Sequence, residues 1–276
     1  MNSAIGRRKL NSVINGLISP LGVELRRRGS VPPLVSQYRN KLQEAAGEME
    51  KLARATVFPD LPPKIGRLEL MMQLMGTQLS EALHLVWHLS RVLHIKGEVC
   101  EFGVAQGATS ALIANEIRET NKNLWLFDSF KGLPRPTDRD ILIDDIFNLG
   151  SIEQYQGTMA CGQEQVIGRL NSVKFPSERV KVVPGFIEKT AKYASLPADV
   201  CFAYVDFDFY EPIKIALELL DSRLSAGGVV IVDDYGFFSA GAQAAVDEFV
   251  EAREQSYTKE PSPEWASKFC VLRRSM

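Results

Sequence analysis

The stretch GEVCEFGVAQGATSALIANEIRE, residues 97–119, decides the fold. It contains an apolar run of strand length, a turn with two glycines, and then apolar residues at helical spacing. The same alternation returns in LWLFD (124–128), VKVVPG (180–185), CFAYVDFD (201–208), IKIALELLDSRL (213–224), GGVVIVDDY (227–235) and AQAAVDEFVEARE (242–254). Strands that alternate with helices indicate βαβ units. The tail SYTKEPSPEWASKFCVLRR (256–274) can supply two last strands around a turn. We therefore predict an α/β fold with a doubly wound, mostly parallel, seven-stranded sheet and helices on both faces.

Helical spacing of apolar residues precedes this sheet, over residues 34–57 and 66–94. We predict an N-terminal arm and helix over 1–65, available for contacts with a lid or a second subunit, and one α/β domain over 66–276. The connection that follows Asp128 is longer than an ordinary loop, which predicts an insertion at about 129–175. This insertion is interpreted as a lid over the site, with surface decoration as the alternative.

The composition indicates a globular protein and argues against several classes. A chain of 276 residues with 45% hydrophobic residues can bury a full core, and its formal net charge of -2 does not suit a nucleic-acid-binding surface. No stretch reaches the roughly 18 apolar residues of a membrane span. The apolar part of the basic N-terminal arm is interrupted by Asn15, Gly16 and Pro20, whereas a secretory signal needs an unbroken apolar stretch.

The four cysteines form no C-x-x-C pair, so the sequence suggests neither a zinc ribbon nor a disulfide framework. We predict a cytoplasmic protein.

Glycines and acids follow the first two predicted strands, where a parallel sheet binds its ligands. Glu101, Gly103 and Gly107 lie in and after the first strand, and Asp128 ends the second. Glycines in such a turn let a ligand approach the backbone, and an acid at the next strand end can accept ribose hydroxyls. A dinucleotide-binding turn would have a glycine where Val104 stands. The pattern favours S-adenosylmethionine, which carries an adenosine without phosphate.

Two acidic pairs follow two later strands. Asp206 and Asp208 lie in VDFDFY (205–210), where an extended strand would turn both to one face, and Asp233 and Asp234 lie in VVIVDDY (229–235). Four carboxylates in one cleft need a cation, and oxygen ligands without histidine or cysteine indicate a hard divalent ion, with Mg²⁺ first. Helix capping by one acid of each pair is the alternative.

Two histidines suggest a second kind of metal site. His84 and His88 lie one helical turn apart, as zinc ligands often do, but HLVWH lacks the glutamate of H-E-x-x-H. A packed helix face is the favoured interpretation.

Five stretches resemble the macrocin O-methyltransferase (TylF-like) family, which contains Mg²⁺-dependent class I methyltransferases that act on sugar hydroxyls in natural-product biosynthesis. They are GEVCEFGVAQGATS (97–110), FDSFKGLP (127–134), ERVKVVPGFIEKT (178–190), AYVDFDFYEPIKIALELL (203–220) and GGVVIVDDYG (227–236). The resemblance runs from about Arg67 to Phe249 and implies a Rossmann-like methyltransferase sheet that binds S-adenosylmethionine and Mg²⁺.

The resemblance also implies roles for individual residues. The cofactor residues would be Glu101, Gly103, Gly107, Ser110, Asp128, Ser129, Gly185, Phe186 and Asp206. The metal ligands would be Asp206, Asp233 and Asp234. Catalysis would involve Asp206 and Asp208, with Asp208 either the general base or a support for the metal ligands.

These observations predict an S-adenosylmethionine- and Mg²⁺-dependent O-methyltransferase that acts on a sugar hydroxyl of a glycosylated natural product or a polysaccharide precursor. A catechol-like or small-phenol methyltransferase is the first alternative, and the acids Asp138, Asp140, Asp144 and Asp145 make the insertion look too polar for its acceptor. A non-catalytic cofactor-binding relative and a nicotinamide oxidoreductase are further alternatives. Family members commonly self-associate, so we also expect a homo-oligomer.

Overall fold

The computed structural model describes residues 33–192 and 196–276. The basic arm predicted within the first thirty residues lies outside the described residues. None of the helices in the described ranges has the length and apolar character needed to cross a bilayer.

Seven strands form one sheet. They are β1 (Glu98–Phe102), β2 (Leu124–Asp128), β3 (Val180–Pro184), β4 (Val200–Val205), β5 (Leu224–Val232), β6 (Tyr257–Pro261) and β7 (Cys270–Arg274). The order across the sheet is β3-β2-β1-β4-β5-β7-β6. The strands β1 to β5 are parallel to one another. In contrast, β7 runs antiparallel to β5, and β6 runs antiparallel to β7. The predicted seven-stranded, mostly parallel sheet is confirmed, and the carboxyl ends of β1–β5 meet at one edge.

The described residues contain eight α-helices. They are α1 (Pro33–Thr56), α2 (Arg67–Met71), α3 (Leu79–Val92), α4 (Ala108–Ile117), α5 (Gln163–Ser172), α6 (Ile187–Thr190), α7 (Tyr210–Asp221) and α8 (Ala240–Glu251). The apolar spacing over 66–94 predicts one continuous helix. That prediction is wrong, because α2 ends at Met71 and α3 begins at Leu79. Gly76 between them has φ 93°, which a right-handed helix does not accommodate.

Hydrophobic cores cover both faces of the sheet. Val99 and Cys100 are neighbours in β1 but belong to different cores, as alternation along a strand requires. The first core contains α3 and α4, and the second contains α7 and α8. Every residue of β4 is buried, as expected for a central strand covered on both sides.

The chain separates into two compact units, residues 1–45 and 46–276. In the first unit, the described part of α1 exposes Leu34 and Tyr38. In the second, Phe58 and Leu61 belong to the core between α3 and α4 and the sheet, and buried Arg67 pairs with Glu116 at 2.7 Å. The predicted division at residue 65 stays a prediction.

Residues 129–179, which connect β2 to β3, form a packed insertion. Leu133, Ile152 and Tyr155 make a small core of their own with Phe209 and Phe238 from the segments that precede α7 and α8. The insertion also contains α5, whose Val166 and Leu170 are buried. The insertion is therefore fastened to the edge of the sheet where β4 and β5 end.

The two neighbouring histidines pack in the core. His84 Nδ1 lies 2.9 Å from the carbonyl oxygen of Ser80, and its ring meets Phe58 edge-on with centroids 4.7 Å apart. Burial is the main cause that lowers the pKa of His88 to about 3. The packed interpretation of this pair is confirmed.

Candidate functional site

A cavity of about 440 Å³ opens at the carboxyl edge of the parallel strands. Each of these five strands contributes a residue at or beyond its end, namely Gly103, Asp128, Gly185, Asp206 and Asp233. A volume of this size suits a small-molecule ligand, and the edge is where open α/β sheets bind theirs.

The first glycine of the turn after β1 is required by backbone packing. Gly103 has φ 85°, and a Cβ on it would lie 1.8 Å from the carbonyl oxygen of Asp206. Gly107 also has positive φ, but a Cβ there would meet Val166 of α5 at 3.0 Å. Gly103 therefore lines the cavity, whereas Gly107 faces the insertion and does not line it.

Glu101 and Ser110 lie beneath this turn and are fully buried. The Ser110 hydroxyl donates a hydrogen bond to Glu101 Oε2, while Glu101 Oε1 has no partner among the described residues. Burial raises the pKa of Glu101 to about 8, with Ser110 lowering it and Asp128 raising it further. An orphaned buried carboxyl oxygen of this kind suits a bound polar group.

The carboxylate of Asp128 clamps the turn after β1. Its Oδ2 accepts hydrogen bonds from the amides of Val104 at 2.7 Å and Ala105 at 3.0 Å, and its Oδ1 accepts from the amide of Phe130 at 2.6 Å. A carboxylate has about four acceptor positions, so one remains for a ligand hydroxyl. Ser129 next to it also lines the cavity, and its hydroxyl donates to the carbonyl of Gly132 at 2.9 Å.

The turn after β3 supplies another wall. Gly185 has φ 129°, and a Cβ on it would approach Thr190 Cγ2 to 2.8 Å. Gly185 and Phe186 line the cavity together with Glu188. Sequence reasoning missed Glu188, whose Oε2 is buried without a partner among the described residues, although it lies in the stretch 178–190 that carries the resemblance.

Three aspartates meet at the ends of β4 and β5. One carboxylate oxygen of each of Asp206, Asp208 and Asp234 lies within 4.8 Å of the others. Burial, and after it the neighbouring carboxylates, raise the pKa of all three well above the ordinary value. Asp208 and Asp234 have φ 63° and 56°, a conformation that costs non-glycine residues about 1–3 kcal/mol and tends to occur at functional sites. This all-oxygen donor set fits a hard divalent cation such as Mg²⁺.

The structure groups these residues differently from the sequence interpretation. The premise that Asp206 and Asp208 share the face of an extended strand is wrong, because β4 ends at Val205 and a turn brings the two acids together. Asp233, expected as a metal ligand, stands outside the group of three. Its Oδ2 accepts from the Tyr204 hydroxyl at 2.7 Å, and its Oδ1 accepts from the amide of Asp234 at 2.8 Å.

Glu81 is a cavity residue that sequence reasoning missed. It lies in the first turn of α3, only 2% exposed, and its Oε1 is 3.0 Å from the Tyr204 hydroxyl. Burial and the adjacent Asp233 raise the pKa of Glu81 well above its ordinary value. The segment LSEALHLVWHL (79–89) reads as an apolar helix, and nothing in it indicates that this glutamate faces the strand ends.

Two acids of the insertion accept hydrogen bonds from neighbouring segments and do not line the cavity. Asp140 is 3% exposed, and its Oδ1 accepts from the amide of Tyr210 at 2.7 Å and from the Ser239 hydroxyl at 3.3 Å. Asp145 accepts from the amides of Leu149 and Gly150 and from the Tyr155 hydroxyl.

The insertion residues that line the cavity are mostly apolar, and they include Leu133, Pro134, Ile146, Phe147 and Met159. The polarity argument against a phenol acceptor is therefore wrong. The buried acid Asp140 accepts hydrogen bonds at the beginnings of α7 and α8, and the cavity is lined by other residues.

Known proteins similar to this chain include natural-product methyltransferases. The chain is 31% identical over 144 residues to the 8-demethyl-8-(2,3-dimethoxy-alpha-L-rhamnosyl)-tetracenomycin-C 4'-O-methyltransferase of Streptomyces olivaceus, covering 51% of this chain and 54% of that relative. It is 29% identical over 148 residues to the mycinamicin III 3''-O-methyltransferase of Micromonospora griseorubida, covering 51% and 56%. The chain therefore spans about half the length of these curated relatives.

Solved structures support the fold, and a family profile identifies the family. The O-methyltransferase NovP has a TM-score of 0.62 at 21% identity, over 72% of this chain and 81% of that one. The calicheamicin methyltransferase CalS11 has a TM-score of 0.56 at 18% identity, over 90% and 99%. The profile of the macrocin O-methyltransferase family matches residues 34–261. The chain belongs to the macrocin O-methyltransferase (TylF) family.

Proposed function

We propose that this protein transfers a methyl group from S-adenosylmethionine to a sugar hydroxyl of a glycosylated natural product, with Mg²⁺ at the acidic edge of the sheet. The observation that carries the proposal is that Asp206, Asp208 and Asp234 come together in the cavity that the ends of β1–β3 also line. A nucleoside site and a hard-cation site in one cavity are what a metal-assisted methyl transfer to an oxygen requires. The names of the relatives favour a glycosylated natural product over a polysaccharide precursor as the acceptor.

The ends of β1–β3 would hold the cofactor. Gly103 leaves room beside the backbone, and Asp128 has an acceptor position left for a ribose hydroxyl. Gly185 and Phe186 would cover the adenine. Glu101 and Ser110 lie beneath the turn and do not line the cavity themselves; Glu101 Oε1 has no hydrogen-bond partner among the described residues, and Ser110 holds the other oxygen of that carboxyl group.

The aspartates at the ends of β4 and β5 would hold the cation. When bound, Mg²⁺ would lower the pKa of a sugar hydroxyl and orient it beside the reactive methyl group. Asp206 and Asp234 are the residues of the group best suited to hold the ion. Asp233 is adjacent to them but stands outside the group of three. Placing the two reactants at near-attack distance contributes about 7 kcal/mol or more to lowering the barrier in well-oriented systems.

Asp208 would take the proton from the acceptor. It lies beside Asp206 and Asp234, is 8% exposed and lines the cavity. Burial and then the charge of Asp206 raise the pKa of Asp208 in the metal-free protein, whereas a bound cation would lower it. Support of the metal ligands is the other role that this position suits.

The apolar lining of the insertion favours a second candidate function. Phe147, Met159 and Phe237 line the same cavity, and walls of this kind also suit a phenol or catechol acceptor. Metal chelation by two adjacent oxygens applies equally to an aromatic diol. The acceptor class therefore separates the two candidates, while the cofactor and metal chemistry is common to both.

Methyl transfer from radiolabelled S-adenosylmethionine to a panel of glycosides and matched catechols, with Mg²⁺ or with EDTA, tests the proposal. We expect transfer to a glycoside that is lost in EDTA and in Asp206→Asn, while that variant still binds S-adenosylhomocysteine. Transfer to catechols alone would favour the second candidate. Full activity in EDTA would contradict the metal role, and failure to bind S-adenosylmethionine would contradict the enzyme function.

Self-association and a cytoplasmic location are part of the same proposal and stay predictions. Size-exclusion chromatography with light scattering on the full chain measures the first of these.

A further inference from the structure

Glu81 and Tyr204 contact Asp233 from outside the group of three aspartates. Tyr204 is fully buried in β4, and its hydroxyl lies 2.7 Å from Asp233 Oδ2 and 3.0 Å from Glu81 Oε1. The carboxyl groups of Glu81 and Asp233 are also adjacent, and a hydrogen bond between them requires a proton on one of the two. These contacts connect α3, which precedes the sheet, with the end of β5.

Asp233 is held at both of its carboxylate oxygens. Oδ2 accepts from Tyr204, and Oδ1 accepts from the amide of Asp234 at 2.8 Å. The second hydrogen bond lies within the turn that gives Asp234 its φ of 56°. A non-glycine residue keeps such a conformation only when its surroundings hold it there. The position of Asp233 therefore bears directly on where the Asp234 carboxylate points.

We propose that Glu81 and Tyr204 are positioning residues for the divalent cation. They hold Asp233, and Asp233 in turn holds Asp234 facing Asp206 and Asp208. This inference rests on the proposed function, because it assumes that the three aspartates bind a cation. Groups that hydrogen-bond to metal ligands orient them, and loss of such a group typically lowers metal affinity about 10- to 100-fold.

The alternative is that Tyr204 and Glu81 only fill space between α3 and the sheet. The ring of Tyr204 belongs to the core that contains α3 and α4, so a large truncation would disturb that core in either case. Tyr204→Phe avoids this difficulty, since it removes the hydroxyl and keeps the ring. Glu81→Gln also keeps the size of the side chain, and its amide NH₂ can donate to the Tyr204 hydroxyl oxygen and to Asp233.

Direct cation binding by the full chain tests the inference without turnover. Mn²⁺ serves as the probe, because it accepts oxygen ligands as Mg²⁺ does and is visible by electron paramagnetic resonance. Its Kd is measured by calorimetry and by resonance in the presence of S-adenosylhomocysteine. The Kd for S-adenosylhomocysteine is measured in the same variants, as a check that the site is folded.

We expect Tyr204→Phe and Glu81→Ala to raise the Mn²⁺ Kd about 10- to 100-fold, with the S-adenosylhomocysteine Kd unchanged. Glu81→Gln should bind Mn²⁺ within about threefold of the native protein, because its hydrogen bonds can be kept. Tyr257→Phe is the matched control. That residue is also buried, and its hydroxyl lies 3.0 Å from Asp221, in no contact with the aspartate group. Its Mn²⁺ Kd should not change.

Native-like Mn²⁺ affinity in both Tyr204→Phe and Glu81→Ala would overturn the inference and leave the proposed function intact. An equal loss of Mn²⁺ affinity in Tyr257→Phe would also overturn the inference, because the effect would then come from a general loosening of the fold. If Tyr204→Phe fails to fold, the contrast between Glu81→Ala and Glu81→Gln decides. Absence of Mn²⁺ binding in the native protein would contradict the metal part of the proposed function and this inference with it.

Discussion

A Cβ atom on Gly103 would lie 1.8 Å from the carbonyl oxygen of Asp206. The two strand ends are in direct backbone contact, since the amide of Asp206 also donates to the carbonyl of Phe102 at 2.7 Å. The glycine in the turn after β1 is therefore required by the position of the first aspartate of the acidic edge. The proposed cofactor half and the proposed metal half of the cavity share this contact.

Gly103→Ala should destabilise the protein far more than an alanine at another glycine of the same conformation. Gly150→Ala is the control, because Gly150 has φ 86° and a Cβ there would meet nothing within 4 Å. We expect a loss of about 1 kcal/mol for the control, from left-handed strain alone, and roughly 3 kcal/mol or more for Gly103→Ala, from the added overlap. Urea unfolding measures both, and equal losses would contradict the close contact.

Asp206→Asn should stabilise the metal-free protein while abolishing turnover. Burial and the neighbouring carboxylates raise the pKa of Asp206, so its charged form opposes folding at pH 8. In EDTA we expect a higher melting temperature for the variant, at about 2–4 °C for each kcal/mol relieved. Added Mg²⁺ should raise the melting temperature of the native protein only. A variant less stable than the native protein in EDTA would contradict this prediction.

Asp140→Ala should loosen the insertion. Loss of this carboxylate leaves the amide of Tyr210 and the Ser239 hydroxyl without their buried partner, which costs about 1–3 kcal/mol per unsatisfied group. Asp138→Ala is the matched control, since Asp138 is exposed two residues away. Urea unfolding should separate the two variants. The idea that Asp140 holds the insertion fails if both change the unfolding free energy equally.

Glu101 should make the unfolding free energy fall as pH rises. Its pKa in the folded protein is about 8 against an ordinary value of 4.5, so the folded state binds more protons between these values. The unfolding free energy contributed by this group is therefore highest at low pH, falls from about pH 4.5 to 8, and is constant above. Glu101→Gln lacks this dependence. We expect the stability of the variant relative to the native protein to increase from pH 5.5 to 8 in urea unfolding, and a constant difference would contradict the raised pKa.

Phe147→Ala should weaken binding of an acceptor with an apolar body. Phe147 lines the cavity and is 49% exposed, so a ligand can cover the rest of its ring. Loss of that apolar contact should raise the KM for such an acceptor about tenfold, which corresponds to about 1.4 kcal/mol. Ile141→Ala is the control, because Ile141 is more exposed and does not line the cavity. The Kd for S-adenosylmethionine should be unchanged in both variants. An unchanged KM in Phe147→Ala would contradict the assignment of Phe147 as a residue that contacts the acceptor.

Much of the fold and part of the site follow from local patterns. Alternating strand and helix periods predict the parallel sheet, since its strands must be covered on both faces. A parallel sheet gathers strand ends at one edge, so Gly103, Asp128 and Asp206 are expected in one cavity, and there they lie. The break between α2 and α3 was missed, because apolar spacing continues through it and only Gly76 marks the interruption.

The sequence by itself determined the succession of strands and helices along the chain, the family, and the presence of acids at the strand ends. Periodicity and residue type act locally along the chain. Only the tertiary structure decided which acids meet. Asp208 and Asp234, both in left-handed backbone conformation, lie close to Asp206, while Asp233 is hydrogen-bonded to Tyr204 and stands outside that group. Glu81 reaches the cavity from a helix that is distant in sequence. Contacts of this kind depend on the packing of separate elements, which no local pattern encodes.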